Sequence, residues 1–154
     1  MDPIRFRSAR NEECPALSEL MLRSKTHWDY DAAFIEACRE DLTIDADWLQ
    51  RHDGFVAEQN DTVVGFFGIS HEDGTARVEH FFVARDAIGS GVGGVMWTEY
   101  LRLATLRGAH RIEIESEPFA RPFYERMGAV QIGEIPSTVF AGRLLPLMEI
   151  KLVP

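Results

Sequence analysis

Cysteine is nearly absent from the chain, with Cys14 and Cys38 the only two among 154 residues. No CxxC pair and no Cys/His metal spacing occurs, which excludes a disulfide scaffold and a zinc site. The five histidines, His27, His52, His71, His80 and His110, are scattered and form no HExxH, so no metal is expected. Long apolar runs are missing too. The most apolar stretch, Val63 to Ile69, is far too short to span a bilayer. The first residues, Met1-Asp2-Pro3-Ile4-Arg5, mix charges and carry no apolar signal core, which makes the cytoplasm the expected compartment. Positive charge is scarce: 16 Lys and Arg stand against 25 Asp and Glu, for a net −9 and a pI near 5.0. Such a surface repels a phosphate backbone and an anionic membrane, so neither nucleic acid nor membrane is an expected partner. There is no internal repeat, low-complexity tract or Ser/Pro-rich linker, and the length fits one domain over residues 1–154.

Apolar residues make up 45% of the chain and charged residues 27%, enough for a packed core under a charged surface. Ile4 to Arg7 alternates as a half-buried strand does. Asn11 is expected to cap a helix whose apolar face carries Leu17, Leu20 and Met21. A second helix is expected over Asp31 to Arg39 with Phe34, Ile35 and Cys38 inward, and a short third over Asp45 to Leu49. The middle then changes period. Phe55 to Glu58, a turn at Asn60-Asp61, Thr62 to Ser70, a turn at Glu72-Asp73-Gly74 and Val78 to Val83 read as an antiparallel meander. A strong helix from Val92 to Arg107 stops at Gly108. A strand over Arg111 to Glu115, a helix from Pro118 to Met127, and strands over Val130 to Ile135 and Leu147 to Val153 complete the chain. This order makes an α/β (α+β) domain with a mixed, mostly antiparallel central sheet flanked by helices.

Between a strand and the strong helix lies Ile88-Gly89-Ser90-Gly91-Val92-Gly93-Gly94. Glycines there let successive backbone N–H groups turn into one concavity, and the helix start adds partial positive charge. Such a loop holds a pyrophosphate without a lysine; a plain flexible turn is the alternative. A P-loop needs Gly-Lys-Ser/Thr, and Gly93-Gly94-Val95 lacks it. Gly89-x-Gly91-x-x-Gly94 does fit the dinucleotide pattern, with Glu113 near the place of a ribose-binding acid, but a meander precedes it where a repeated βαβ unit belongs.

The flanks carry more. Phe81-Phe82-Val83-Ala84-Arg85, then Gly91-Val92-Gly93 opening a helix, then Phe123-Tyr124-Glu125-Arg126-Met127-Gly128-Ala129, resemble the GNAT superfamily of acyl-CoA-dependent N-acyltransferases over essentially the whole chain. Within it, Arg23-Ser24-Lys25-Thr26-His27-Trp28-Asp29-Tyr30-Asp31, the Ile88-Gly89 loop and Pro136-Ser137 with Gly142-Arg143-x-Leu145-Pro146 resemble a subgroup of small proteins. The superfamily pattern has Arg or Gln where Ile88 stands and Asn where Phe119 stands.

The resemblance implies that an amine attacks the thioester of acetyl-CoA directly, with an acyl-CoA binder without turnover as the alternative. It implies that the backbone of Phe81, Phe82 and Val83 holds the pantetheine arm. Ile88, Gly89, Ser90, Gly91, Val92, Gly93 and Gly94 would hold the pyrophosphate, with Phe119 also at the cofactor. Tyr124 matches the acid that protonates the departing thiolate. Glu79 is the candidate base; strand alternation sends it and His80 to opposite faces, so one of them faces the cleft. Trp28, Tyr30 and Glu115 are expected to wall the acceptor, and Arg143 is a candidate for an acceptor carboxylate. The implied partner is a small-molecule amine, with homodimerisation a habit of the superfamily.

Overall fold

The structure, a computed structural model, describes residues 2–152; the last residue of the strand expected over Leu147 to Val153 lies outside that range. Seven strands form one sheet: β1 (Arg5–Ser8), β2 (Asp53–Gln59), β3 (Thr62–Glu72), β4 (Thr75–Val83), β5 (Arg111–Glu115), β6 (Val130–Pro136) and β7 (Leu144–Lys151). Their order across the sheet is β1-β2-β3-β4-β5-β7-β6. β4 and β5 run parallel over Thr75–Arg77 and Arg111–Glu113, while β1–β2, β2–β3, β5–β7 and β6–β7 are antiparallel. The flanking helices are α1 (Cys14–Lys25), α2 (Ala32–Ala37), α3 (Ala46–Arg51), α4 (Val92–Leu106) and α5 (Arg121–Arg126). No described helix is long and apolar enough to cross a membrane. The expected fold class is the one observed.

By its contacts the described chain divides into two compact units, residues 2–69 with 79–100 and residues 70–78 with 101–152. The first is an aromatic core. Phe67 is fully buried, with the rings of Phe6, Phe55, Phe81 and Tyr100 at 6.3, 5.4, 6.1 and 5.7 Å. Trp97 stacks on Tyr100 at 5.1 Å, so α4 turns Val92, Met96, Trp97 and Tyr100 inward. Two glycines on β3 admit the helices that cover it. A Cβ on Gly65 would lie 2.3 Å from Met96 Sδ on α4, and one on Gly68 would lie 2.5 Å from Cη2 of Trp48 on α3. Both glycines are therefore packing residues of the apolar run, and alternation puts them on opposite faces.

In the second unit, Ala76, Ala104, Ile112, Ile114 and Met148 are fully buried or nearly so. Arg111 on β5 donates to Glu149, Glu113 and the Thr75 hydroxyl at 3.0, 2.9 and 3.0 Å. This ties Glu113 into structural pairing.

Several boundaries differ from the expected ones. β4 starts at Thr75 and β7 at Leu144, because their first residues find ladder partners in β5 and β6 that composition does not reveal. The helix expected from Pro118 is a 3-10 turn, Pro118–Ala120, followed by α5; Glu117 caps the turn and Pro122 opens the helix. α2 is only six residues long, and its Phe34 and Ile35 stay half-buried while Cys38 is buried. Phe34 packs on Tyr30 instead, stacked at 4.1 Å.

Near the N-terminus, Arg7 on β1 donates to both Glu13 oxygens at 2.7 Å and also pairs with Glu58. The guanidinium holds the Glu13 carboxyl at about 2, below the usual carboxylate range. Because the folded value lies below an unfolded value of about 4.3, the pair stabilises fully above that pH. Its contribution fades as pH falls through about 2. Glu13→Gln is expected to lower unfolding free energy by roughly 2 kcal/mol at pH 7. The gap from the unsubstituted protein should close in denaturant titrations between about pH 4.3 and 2. A gap that persists at the acid end would contradict this.

Candidate active site

In the first unit the candidate residues follow one another along β4, a loop and the start of α4. Glu79, His80, Phe81, Phe82 and Val83 are all half-buried, without the alternation of a strand that has a dry and a wet face. The ladder with β5 covers only Thr75–Arg77, so it stops before this stretch. Phe81 packs against Trp97 at 5.6 Å, and its ring belongs to the core. Ser24, buried on α1, donates its hydroxyl to the Val83 carbonyl at 2.7 Å, which occupies that backbone group and anchors the strand end. The Ala84 N–H then donates to Val64 at 2.7 Å.

The chain next makes a 3-10 turn, Arg85–Ala87, with Ala87 N–H donating to Ala84 and Ser90 N–H to Ala87 at 2.8 and 3.2 Å. Gly89 and Gly91 follow with φ of +86° and +91°, values that side chains with a Cβ rarely adopt. A Cβ built on Gly89 or Gly94 would meet nothing within 4 Å, so neither glycine is there to let packed protein approach. Open space stands before the first turn of the 15-residue α4, whose leading N–H groups have no intrahelical acceptor. A polyanion fits this cradle through backbone amides and the helix dipole. Two cations flank it: Arg85 donates to the Thr26 hydroxyl at 3.0 Å, and Arg23 pairs with Asp86 at 3.2 Å. Ile88 brings no polar group.

Glu79 sits in surroundings that composition did not single out. Trp48, lying over Gly68, stacks on His52 at 4.6 Å and meets His80 at 5.3 Å. His52 Nε2 lies 3.9 Å from Glu79 Oε2. Glu79 and His80 therefore do not sort into separate environments as strand alternation suggests. With no side chain at Gly68 to hold it off, the indole and its stacked imidazole reach both. Burial pushes the His80 imidazole down to about 4, so this ring is neutral near pH 7. Trp48 and His52 stand one helical turn apart, a spacing that places two rings on one face. That spacing was the available signal. Nothing in the sequence tied the pair to Glu79.

The other first-unit candidates lie where α1 leads into α2. Tyr30 is half-buried, stacked on Phe34, with Lys25 Nζ 5.7 Å from each ring. Trp28 is half-buried and meets His27 edge-on at 4.9 Å.

In the second unit, Tyr124 on α5 is buried at 5% exposure, and that burial pushes its phenol upward, so it holds its proton throughout the neutral range. Its ring meets Phe123 edge-on at 5.2 Å. Phe119 is 45% exposed, with its backbone N–H taken by the Glu117 carboxylate at 2.6 Å. Glu115 is exposed at the end of β5. Arg143 pairs with Glu117 at 3.3 Å, which gives this arginine a carboxylate from its own chain and a role in tying the loop before β7 to the turn after β5. Among the described residues no cluster of His, Cys, Asp and Glu could hold a metal ion.

Known proteins share this fold. No curated protein matches the sequence. Among solved structures, the chain resembles a GCN5-related N-acetyltransferase from Rhodopseudomonas palustris at 20% identity and a TM-score of 0.83, covering 99% of this chain and 98% of that one. A PaiA N-acetyltransferase from Thermoplasma acidophilum, solved in complex with coenzyme A, matches at 16% identity and a TM-score of 0.76, covering 97% and 99%. A GCN5-related N-acetyltransferase from Kribbella flavida matches at 20% identity and 0.67, covering 97% and 98%. The family model for the acetyltransferase (GNAT) domain matches residues 17–152, and on that match the chain belongs to the GNAT acetyltransferase family.

Proposed function

We propose that the protein transfers an acetyl group from acetyl-CoA to the amine of a small-molecule acceptor, both bound together. The observation that carries this is the cradle at the start of α4: two left-handed glycines, the leading end of a 15-residue helix and open space at Gly89 and Gly94, directly after a strand whose ladder with β5 covers only Thr75–Arg77. Membership of the family and the coenzyme A complex of the Thermoplasma acidophilum structure support the same ligand.

In this reading the amides of Gly89 and of residues 91–94 bind the pyrophosphate, the Ser90 N–H being held by the Ala87 carbonyl, and the backbone of Phe81, Phe82 and Val83 aligns the pantetheine arm. A β4 amide polarises the thioester carbonyl. Glu79 takes a proton from the acceptor ammonium, freeing the nitrogen lone pair. The amine nitrogen forms its bond to the carbonyl carbon as the C–S bond breaks, and the Tyr124 phenol protonates the departing sulfur. The second N–H proton leaves the amide nitrogen to water, and the Tyr124 phenolate takes a proton back from water. Burial keeps the Tyr124 phenol protonated, so its proton is in place when the thiolate departs. Trp28 and Tyr30 wall the acceptor, and carboxylates such as the exposed Glu115 favour a cationic amine.

Phe119 favours a second reading, an acyl-CoA binder without turnover. An exposed aromatic stands where the superfamily has an amide, and its own N–H is already bonded to Glu117. Coenzyme A release over a panel of alkylamines, arylamines, amino acids and polyamines decides between them.

Gly94→Ala puts a methyl group into open space on a helix, so stability is expected to hold or rise by up to about 1 kcal/mol. Acetyl-CoA affinity should fall about tenfold or more, measured by calorimetric titration; unchanged affinity would contradict the cradle. Acetyl-CoA at 100 times its Kd should stabilise the unsubstituted protein by about 2.7 kcal/mol in thermal unfolding, with no effect of NADH. Tyr124→Phe is expected to lower turnover about 100-fold with acetyl-CoA binding intact. Full turnover in this variant would remove Tyr124 from the mechanism.

A further inference from the structure

The position of His52 beside the candidate base has a chemical consequence. His52 follows the last residue of α3, and its Nδ1 lies 3.2 Å from the Trp48 carbonyl oxygen. A carbonyl oxygen only accepts, so Nδ1 carries the hydrogen in this contact. The same oxygen also takes the His52 backbone N–H at 2.9 Å, which holds the residue at the helix end. The Trp48 indole, stacked at 4.6 Å and 30°, sets the plane of the ring. With the proton on Nδ1, the neutral imidazole presents a bare lone pair at Nε2. That lone pair faces Glu79 Oε2 at 3.9 Å. Two acceptors so placed are bridged by a water that donates to both, or by a proton passed between them. Both side chains keep access to water, at 21% for His52 and 27% for Glu79.

We infer that His52 is the second station of a proton relay, taking from Glu79 the proton that Glu79 takes from the acceptor ammonium. The inference rests on the reading of Glu79 as the base. In the first step an N–H bond of the ammonium breaks and an O–H bond forms on Glu79. In the second, the Oε2–H bond breaks and an Nε2–H bond forms, so the carboxylate is regenerated and the imidazole becomes an imidazolium. His52 then releases that proton to water. The 3.9 Å gap exceeds a direct hydrogen bond. It closes by rotation of the carboxylate or across one water, as catalytic contacts in free enzymes commonly do.

The charged surroundings leave this route open. His80, the other imidazole at Trp48, is neutral near pH 7 and places no competing cation there; Asp41 acts on His80 in the opposite sense to its burial. Arg51 turns back along α3 toward the Asp47 carbonyl at 3.4 Å, and Asp53, on the other side of His52 in sequence, is exposed. Gly68 is part of the device, since a side chain there would displace Trp48 and with it the ring that fixes His52.

Nitrogen-15 NMR of the histidine rings of the intact protein tests the geometry without an acceptor. Neutral His52 should be the Nδ1–H tautomer, and an Nε2–H tautomer overturns the relay. His52→Asn keeps a donor for the Trp48 oxygen and deletes Nε2. With acetyl-CoA and the amine turned over fastest in the panel above, kcat should fall about 10-fold to 100-fold. The KM for acetyl-CoA should be unchanged, and millimolar imidazole should restore part of kcat in His52→Ala. Unchanged kcat in a folded His52→Asn overturns the relay. Glu79→Gln separates the two levels. If it is inactive while His52→Asn is fully active, the relay falls and Glu79 stands as base. If Glu79→Gln is itself fully active, both fall.

Discussion

Everything at the candidate site in the first unit depends on how closely two helices approach β3. Gly65 and Gly68 lack side chains on opposite faces of that strand, and each vacancy is filled by a large residue of a helix. Met96 seats α4 against Gly65, which sets where α4 begins and so where the glycine loop before it lies. Trp48 seats α3 against Gly68, which brings His52 to Glu79. A methyl group at either position would meet a side chain at 2.5 Å or less, a contact that protein carbons do not sustain. Aromatic packing around Phe67 makes the arrangement rigid, since Phe81 from β4 and Tyr100 from α4 meet the same ring.

A rigid seat matters because the ligand is held by groups that carry no net charge. The chain has a net charge of −9, and the proposed cosubstrate is polyanionic. Long-range attraction is therefore absent, and binding has to come from short-range backbone amides and a helix dipole whose reach is about one turn. Such donors act only if fixed in place. The Arg85–Thr26 and Arg23–Asp86 contacts hold two guanidinium groups beside the loop and reduce the local repulsion. Several carboxylates are committed to structure, as Glu13 and Glu58 are to Arg7 and Glu113 and Glu149 are to Arg111.

Much of this was legible beforehand. The order of strands and helices, the turns at Asn60-Asp61 and Asp73-Gly74, and the stop at Gly108 follow from period and turn chemistry, and the glycine loop announced itself by spacing. What stayed hidden was tertiary. The first residues of β4 and β7 become strand only because a partner strand lies beside them. Phe34 looked like a core residue by spacing, yet α2 is too short to bury it and it stacks on Tyr30 instead. Spacing leaves Arg143 either as a loop arginine or as a partner for an acceptor carboxylate, and its pairing with Glu117 is a tertiary contact. The Trp48–His52–Glu79 grouping joins α3 to β4 across a strand position with no side chain, and no local pattern records that.

The central claim is that the amides at the start of α4 bind coenzyme A. Titrating coenzyme A into the nitrogen-15-labelled protein and following backbone amide shifts tests it most directly. The account predicts saturable shifts that are largest at residues 89–94 and extend along 81–83. Shifts centred elsewhere in the chain, or none at millimolar coenzyme A, would contradict it.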